Sequence, residues 1–313
     1  MPSPRTISIA CRSWLAASER NGLERSTLKA YRSHVNVHIE PRIGDLLLTD
    51  LSRGQVRDFM DSMLDDGLSR ALVKKIMVSF RSLLSDAVER EWIDQNVATN
   101  VKLKRQSRLD DARVIPTKDE IRTIIDNAPE SHRAMFITAI FTGMRISELR
   151  GLTWSNVDRS RGVIHVVQRA DEYCEIGAPK SRAGRRDIPM APIVKETLAK
   201  WGQDFPPGDL WLVFPNQAGK VQSYSNIANR VFRPLLVRNG IVDAEGKAKF
   251  GIHALRHAAA SLMIEQNWNP KKIQTILGHS SISMTMDVYG HLFENSGEDA
   301  ALFEKLENDL LAA

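Results

Sequence analysis

Apolar residues recur at helical spacing along most of the chain, and short polar signals bound the runs. From Ile7 to about Glu91 this pattern predicts helices separated by short turns. Ser52, with Gln55 three residues later, forms a capping box, and the helix it opens ends near Gly67. Ser69 caps the next helix, in which Leu72, Ile76, Phe80, Leu84 and Val88 recur every four residues with Lys74, Lys75 and Arg81 between them. One face of that helix packs and another is basic. On periodicity alone the cations read as a solvated face.

Between Val101 and Pro116 the apolar stripe lapses into a polar stretch that contains Lys102, Lys104, Arg105 and Arg108. This stretch divides the chain. The cations fit a solvated linker about as well as a track along a phosphate backbone. Pro116-Thr-Lys-Asp-Glu120 is a second capping box and starts a new helical region. Within it Val163 to Val167 and Arg186 to Met190 read as short strands, with Gly177, Pro179 and Gly184 supplying turns between them. Further helices are predicted over Val194 to Trp201, Ser225 to Asn239, His253 to Gln266 and Pro270 to Leu277. The expected fold is mainly α with a small antiparallel β-sheet. A helical domain takes residues 1–105, a linker 106–116, and a mixed α/β domain 117–313. No internal repeat or low-complexity tract is present.

Composition narrows the class without naming a function. The 313 residues are 42% hydrophobic and 26% charged, which suits a soluble chain with a sizeable core and excludes wholesale disorder. A net charge of +5 suits a polyanionic partner, because cations that neutralise phosphates release condensed counterions. Cys11 and Cys174 lie too far apart in sequence to form the dense disulfide framework of a small secreted domain. No signal peptide and no spanning apolar stretch is visible, so the expectation is a cytoplasmic, nucleoid-associated protein without a membrane partner.

The chemistry-bearing residues lie in the second region. Thr142-Gly-Met-Arg-Ile-Ser-Glu-Leu149 places Arg145 just after a glycine break, where a helix restarts; the bland alternative is a surface arginine paired with Glu148. His253-Ala-Leu-Arg-His257 puts His253 and Arg256 on one helix face, a spacing that suits an anion. A zinc reading of His253 and His257 lacks the glutamate that the metalloprotease pattern places after its first histidine; Ala254 stands there. His279 follows a glycine in Leu-Gly-His-Ser. Tyr289 falls within a short helix, where a lone tyrosine is ordinarily a packing residue.

Taken in order, Thr-Gly-Met-Arg, a hairpin lysine, His-Ala-Leu-Arg-His, Leu-Gly-His-Ser and Asp-Val-Tyr-Gly-His resemble the tyrosine recombinases, the phage integrases and their relatives. The match is strong from about Thr117 to Leu292. The first hundred residues resemble the family's SAM-like core-binding domain less specifically. The resemblance implies a site-specific recombinase that cleaves and rejoins double-stranded DNA through a 3′-phosphotyrosyl intermediate. It assigns Tyr289 as nucleophile, Arg145 and Arg256 to the scissile phosphate, Lys180 to the departing 5′ oxygen, His253 to the nucleophile's proton and His279 to the phosphate. Arg182, Arg185 and Arg186 crowd Lys180, so that assignment is the least specific. No cofactor or metal is implied, and the expected assembly is a homo-tetramer on paired sites. Related alternatives are a type IB topoisomerase and an idle DNA-binding protein that keeps the fold. Leu302, Leu306 and Leu310 fit a terminal helix that docks on a neighbouring protomer or on its own domain. With a helical region that begins almost at Met1, the expectation is a chain without the extra arm-site domain that some phage integrases carry, which puts arm-site control in doubt.

Overall fold

The structure, a computed structural model, describes residues 5–103, 114–204 and 208–293. The chain divides into two compact units, residues 1–111 and 112–313. Lys104, Arg105 and Arg108, and the terminal leucines Leu302, Leu306 and Leu310, lie outside the described residues.

The first unit is helical. Helix α1 (Ile7–Arg20) precedes α2 (Arg25–Ser33), which runs through a π-helical stretch, His34–Ile39, into α3 (Glu40–Ile43). After a short 3-10 turn come α4 (Arg53–Asp65) and α5 (Arg70–Glu89). Both caps read from the sequence form: the Ser52 hydroxyl accepts from the Gln55 amide while the Gln55 side chain accepts from the Ser52 amide, and Ser69 caps α5. Val73, Ile76, Met77, Phe80, Leu83, Leu84 and Ala87 carry the buried face of α5, packed in one core with Trp14, Ile39, Phe59 and Met63. Leu72 and Val88 lie at that face's margin. The basic group of α5 is divided: Lys74 and Lys75 are exposed, whereas Arg81 donates to the Val101 carbonyl at 3.1 Å and ties the end of the unit to its longest helix.

In the second unit the Thr117–Glu120 capping box opens α6 (Lys118–Asn127). Helix α7 (Glu130–Thr142) buries nearly all of Ala134 to Ile140, as an almost uniformly apolar sequence requires. The short α8 (Ile146–Arg150) leads to the sheet. Strands β1 (Val157–Asp158), β2 (Val163–Val166) and β5 (Arg186–Pro189) form one antiparallel sheet in the order β1-β2-β5, with Val166 opposite Arg186. Between β2 and β5, strands β3 (Arg169–Ala170) and β4 (Ile176–Gly177) form a separate two-stranded ladder. The sequence pattern shows only turn residues there, because two-residue strands are too short to display alternation. Then follow α9 (Pro192–Asp204), α10 (Tyr224–Asn226), a π-helical stretch to Phe232, α11 (Arg233–Arg238), α12 (Ala254–Glu265), α13 (Pro270–Leu277) and α14 (Ile282–Tyr289). Helix α12 packs on α7, and this pairing carries the site. Among the described residues no helix is long and apolar enough to cross a membrane.

Phe80 has no exposed surface, so Phe80→Ala is expected to destabilise the protein by about 3–5 kcal/mol. Lys74→Ala, on the exposed side of the same helix, stays within about 0.5 kcal/mol of wild type. Urea unfolding followed by circular dichroism reads both; equal midpoints for the two variants would contradict the packing described for α5.

Candidate active site

Two helix ends and two glycines build the site. Helix α7 stops at Gly143, whose φ of +64° is the left-handed conformation that ends a helix readily only at glycine. A Cβ there would also lie 2.5 Å from Leu277. Helix α13 stops in the same way at Gly278, φ +66°, where a Cβ would lie 2.8 Å from the Ala183 carbonyl oxygen. The residues these turns release are Arg145 and His279. The turns also hold arginines from elsewhere: Gly143 accepts from Arg256 Nη1 at 2.7 Å, and Gly278 accepts from Arg145 Nη2 at 2.9 Å.

Glu148 organises the rest. It sits at the third position of α8 and its Oε2 accepts the Arg145 backbone N–H at 2.9 Å, capping the helix; its Oε1 accepts from Arg145 Nη1 at 2.9 Å. A second guanidinium, Arg186, grips the carboxylate with two bonds: Nη1 to Oε1 at 3.1 Å and Nη2 to Oε2 at 2.9 Å. Arg186 also donates to the Gly184 carbonyl at 2.9 Å and to the Ile276 carbonyl at 2.6 Å. It therefore joins the turn after Lys180 to the end of α13. Burial pushes the Glu148 carboxyl up, but the hydrogen bonds and charge of Arg186, with Arg145 behind them, prevail and hold it below the usual range. Pairing of Arg145 with Glu148 was the bland reading of the sequence; here the pair forms with the carboxylate 2% exposed and the arginine side chain 32% exposed. The arginine is thus braced from inside and open outside.

Arg256 is 3% exposed, and its Nη2 is a buried donor without an acceptor among the described residues. Burial first, and then repulsion from Arg145, pushes its pKa down to about 9, while Glu148 and Tyr289 oppose the shift. It remains a cation at neutral pH. His279 is buried, its Nδ1 lying 2.8 Å from the Thr285 hydroxyl. Its pKa is pushed down to about 3 by burial and then by the charges of Arg256, Arg145, Arg186 and His253. The ring is neutral at pH 7.

Tyr289 ends α14, is 1% exposed, and its hydroxyl lies 2.6 Å from Nδ1 of His257. His253 is exposed just before α12, with its ring edge-to-face to that of His257 at 5.1 Å. Lys180 is exposed on the segment between β4 and the turn Arg182–Gly184. Arg145, Arg256, His279 and Tyr289 thus converge, His253 stands at their edge, and Lys180 lies on the segment that leads into the turn held by Arg186. Glu148, Arg186 and His257 were not singled out for such parts by sequence reasoning. The one signal available for Glu148 was its place three residues after the helix start. Among the described residues no group of three or more His, Cys, Asp or Glu side chains could hold a metal ion.

Glu148→Gln keeps the shape and removes the charge. Breaking a buried ion pair from one side costs about 3–5 kcal/mol, so its urea midpoint at pH 7 is expected to fall well below that of wild type. The folded carboxyl titrates below its ordinary 4.5, so its stabilisation is complete above that pH and is lost as pH falls through the folded value. The two proteins should converge on acidification below pH 4.5; a gap that persists there would assign the effect to shape. The ring nitrogens of His279 should report a neutral imidazole by NMR down to about pH 3.

Several known proteins are similar to this chain. The model of the phage integrase family matches residues 115–296. The ICEBs1 integrase of Bacillus subtilis (strain 168) is 24% identical over 285 residues, 88% of this chain and 76% of that protein. The tyrosine recombinase XerC of Xylella fastidiosa (strain 9a5c) is 26% identical over 282 residues, 87% of each chain. Among solved structures, the Tn1549 transposon integrase in complex with a circular intermediate DNA superposes with a TM-score of 0.80 at 21% identity, over 95% of this chain and 99% of that one. The chain belongs to the phage integrase family and is a site-specific tyrosine recombinase.

Proposed function

We propose that the chain cleaves double-stranded DNA by attack of the Tyr289 hydroxyl on a backbone phosphate, and rejoins the strand to a new partner. The observation that carries this is Nη2 of Arg256, a buried donor without an acceptor among the described residues, at a site where Arg145 and Arg186 bond the Glu148 carboxylate and Arg256 feels the charge of all three. Such a site is completed by an anion. A phosphate there would take Arg256 and Arg145 on its non-bridging oxygens, where planar guanidinium forks suit bidentate contact. The same charges stabilise the extra negative charge of a pentacoordinate transition state. Neutral His279, its Nδ1 engaged by Thr285, has its other ring nitrogen for a phosphate oxygen. Lys180 protonates the departing 5′ oxygen, and its exposed segment suits a group that closes on bound DNA.

Attack yields a 3′-phosphotyrosyl link and a free 5′ hydroxyl, so the bond is kept in covalent form and a hydroxyl from another strand can reverse the step. Each chain carries one nucleophile, whereas exchange between two duplexes breaks four strands. Four copies on paired sites are therefore the working assembly. Residues 1–105 act as a core-binding domain on the DNA, residues 106–116 as a linker and residues 117–313 as the catalytic domain. Lys74 and Lys75, exposed on α5, are phosphate contacts of the first domain.

The test uses nicked duplexes that the wild-type protein selects from a randomised pool by forming an adduct. Wild type is expected to give a denaturant-stable protein–DNA band and Tyr289→Phe to bind without giving one. An equal band from both would refute Tyr289 as the nucleophile. Arg256→Ala should cleave at least ~10²-fold more slowly, as when a transition-state charge donor is removed.

A further inference from the structure

We infer that His257 is a catalytic residue of this site, the base that takes the proton of the Tyr289 hydroxyl. This rests on the reading of Tyr289 as nucleophile. The hydroxyl lies 2.6 Å from His257 Nδ1, within the short range of an O–H donor on a nitrogen acceptor, and the two rings meet at 59° with centroids 5.7 Å apart. The phenol is 1% exposed, so water does not compete for its proton, and a hydrogen bond in such a medium is stronger than in water. A phenol of pKa near ~10 is a weak nucleophile at neutral pH and needs such a partner.

The position of His257 fits the part better than does that of its neighbour. His253 precedes the first turn of α12 and is exposed, whereas His257, one turn deeper and next to Arg256, meets the phenol. Tyr289 in turn is close enough for its charge to be felt by Arg256. Helix α14 supports the same contact: of its eight residues only Thr285 and Tyr289 are buried, and each meets a histidine, His279 and His257. The nucleophile's helix is seated by two hydrogen bonds, and one of them is to the reacting atom.

In the forward step the Oη–H proton passes to Nδ1 as Oη forms its bond to phosphorus; the bond from phosphorus to O5′ breaks, and O5′ takes a proton from Lys180. His257 is left as imidazolium. In the reverse step the incoming 5′ hydroxyl gives its proton to the Lys180 amine as it attacks, the bond from phosphorus to Oη breaks, and the imidazolium returns its proton to the departing phenolate. No net proton is gained or lost at His257 over a full exchange.

Single-turnover adduct formation on the selected nicked duplexes tests this with His257→Ala and His257→Asn. Asparagine places an oxygen near the site of Nδ1, so it can accept the hydrogen bond but cannot take up the proton. Both variants should cleave on the order of 10²-fold more slowly while DNA affinity stays near wild type, and the Asn variant, which keeps the hydrogen bond, should also keep its Tm. The loss should persist on a 5′-phosphorothiolate, whose thiolate leaves without a proton. Wild-type cleavage by the Asn variant would reduce His257 to a seat for the phenol, and rescue by the phosphorothiolate would move it to the leaving-group side; either overturns the assignment. Failure of wild type to form an adduct, or an equal adduct from Tyr289→Phe, would instead refute the nucleophile itself. Should the Ala variant not fold, the Asn variant gives the same decision.

Discussion

A single buried carboxylate makes the site possible. Arg145, Arg186 and Arg256 are drawn into one pocket, and three guanidinium groups do not gather at the edge of a protein core without an anion among them. Glu148 is that anion. Its position is fixed by local chain geometry, since at the third residue of α8 a carboxylate reaches back to the amide that starts the helix. Capping and charge pairing use the same two oxygens. The cap sets the direction of Arg145, and Arg186 closes the other side, so a rule of helix ends becomes the frame of a phosphate site.

The two glycine caps extend that frame across the unit. Gly143 precedes Arg145 closely in sequence yet holds Arg256, while Gly278 precedes His279 yet holds Arg145. Each turn therefore orients one functional side chain by chain direction and another through its carbonyl. A Cβ at either glycine would be strained by the positive φ and would crowd the Leu277 side chain or the Ala183 carbonyl oxygen. Arg186 adds a third tie, from Gly184 and Ile276 to Glu148. The turn at Gly184 and the end of α13 are thus held through main-chain oxygens, and α8 through the Glu148 carboxylate.

Much of this was legible in the sequence, for physical reasons that differ by element. Capping boxes at Ser52 and Thr117 and the proline at the start of α13 are local, so they read directly. The strand around Val163 reads from β-branched content and that at Arg186 from its alternation, whereas β3 and β4 are too short to alternate. The family motifs pointed to Arg145, Arg256, His279 and Tyr289, which the fold brings together. The pairing of Arg145 with Glu148 is local and was named from the sequence, whereas the pair of Glu148 with Arg186 escaped because a buried ion pair between positions 38 apart leaves no periodic trace. His257 escaped because its spacing from His253 invited a metal reading, whereas its partner lies 32 residues later on another helix.

The same pocket sets electrostatic gain against stability. Held at about 9, the pKa of Arg256 records that its charge is costly where it sits, and the unpartnered Nη2 adds to that cost. His279, held neutral at about 3, is what such a field does to a group that can give up its charge; an arginine cannot do so at neutral pH. The cation therefore stays, and its attraction for an incoming anion is correspondingly large. Local instability of this kind is a usual property of a preorganised catalytic site: the donors stand fixed before the charge they stabilise appears, so no reorganisation is left for the reacting step.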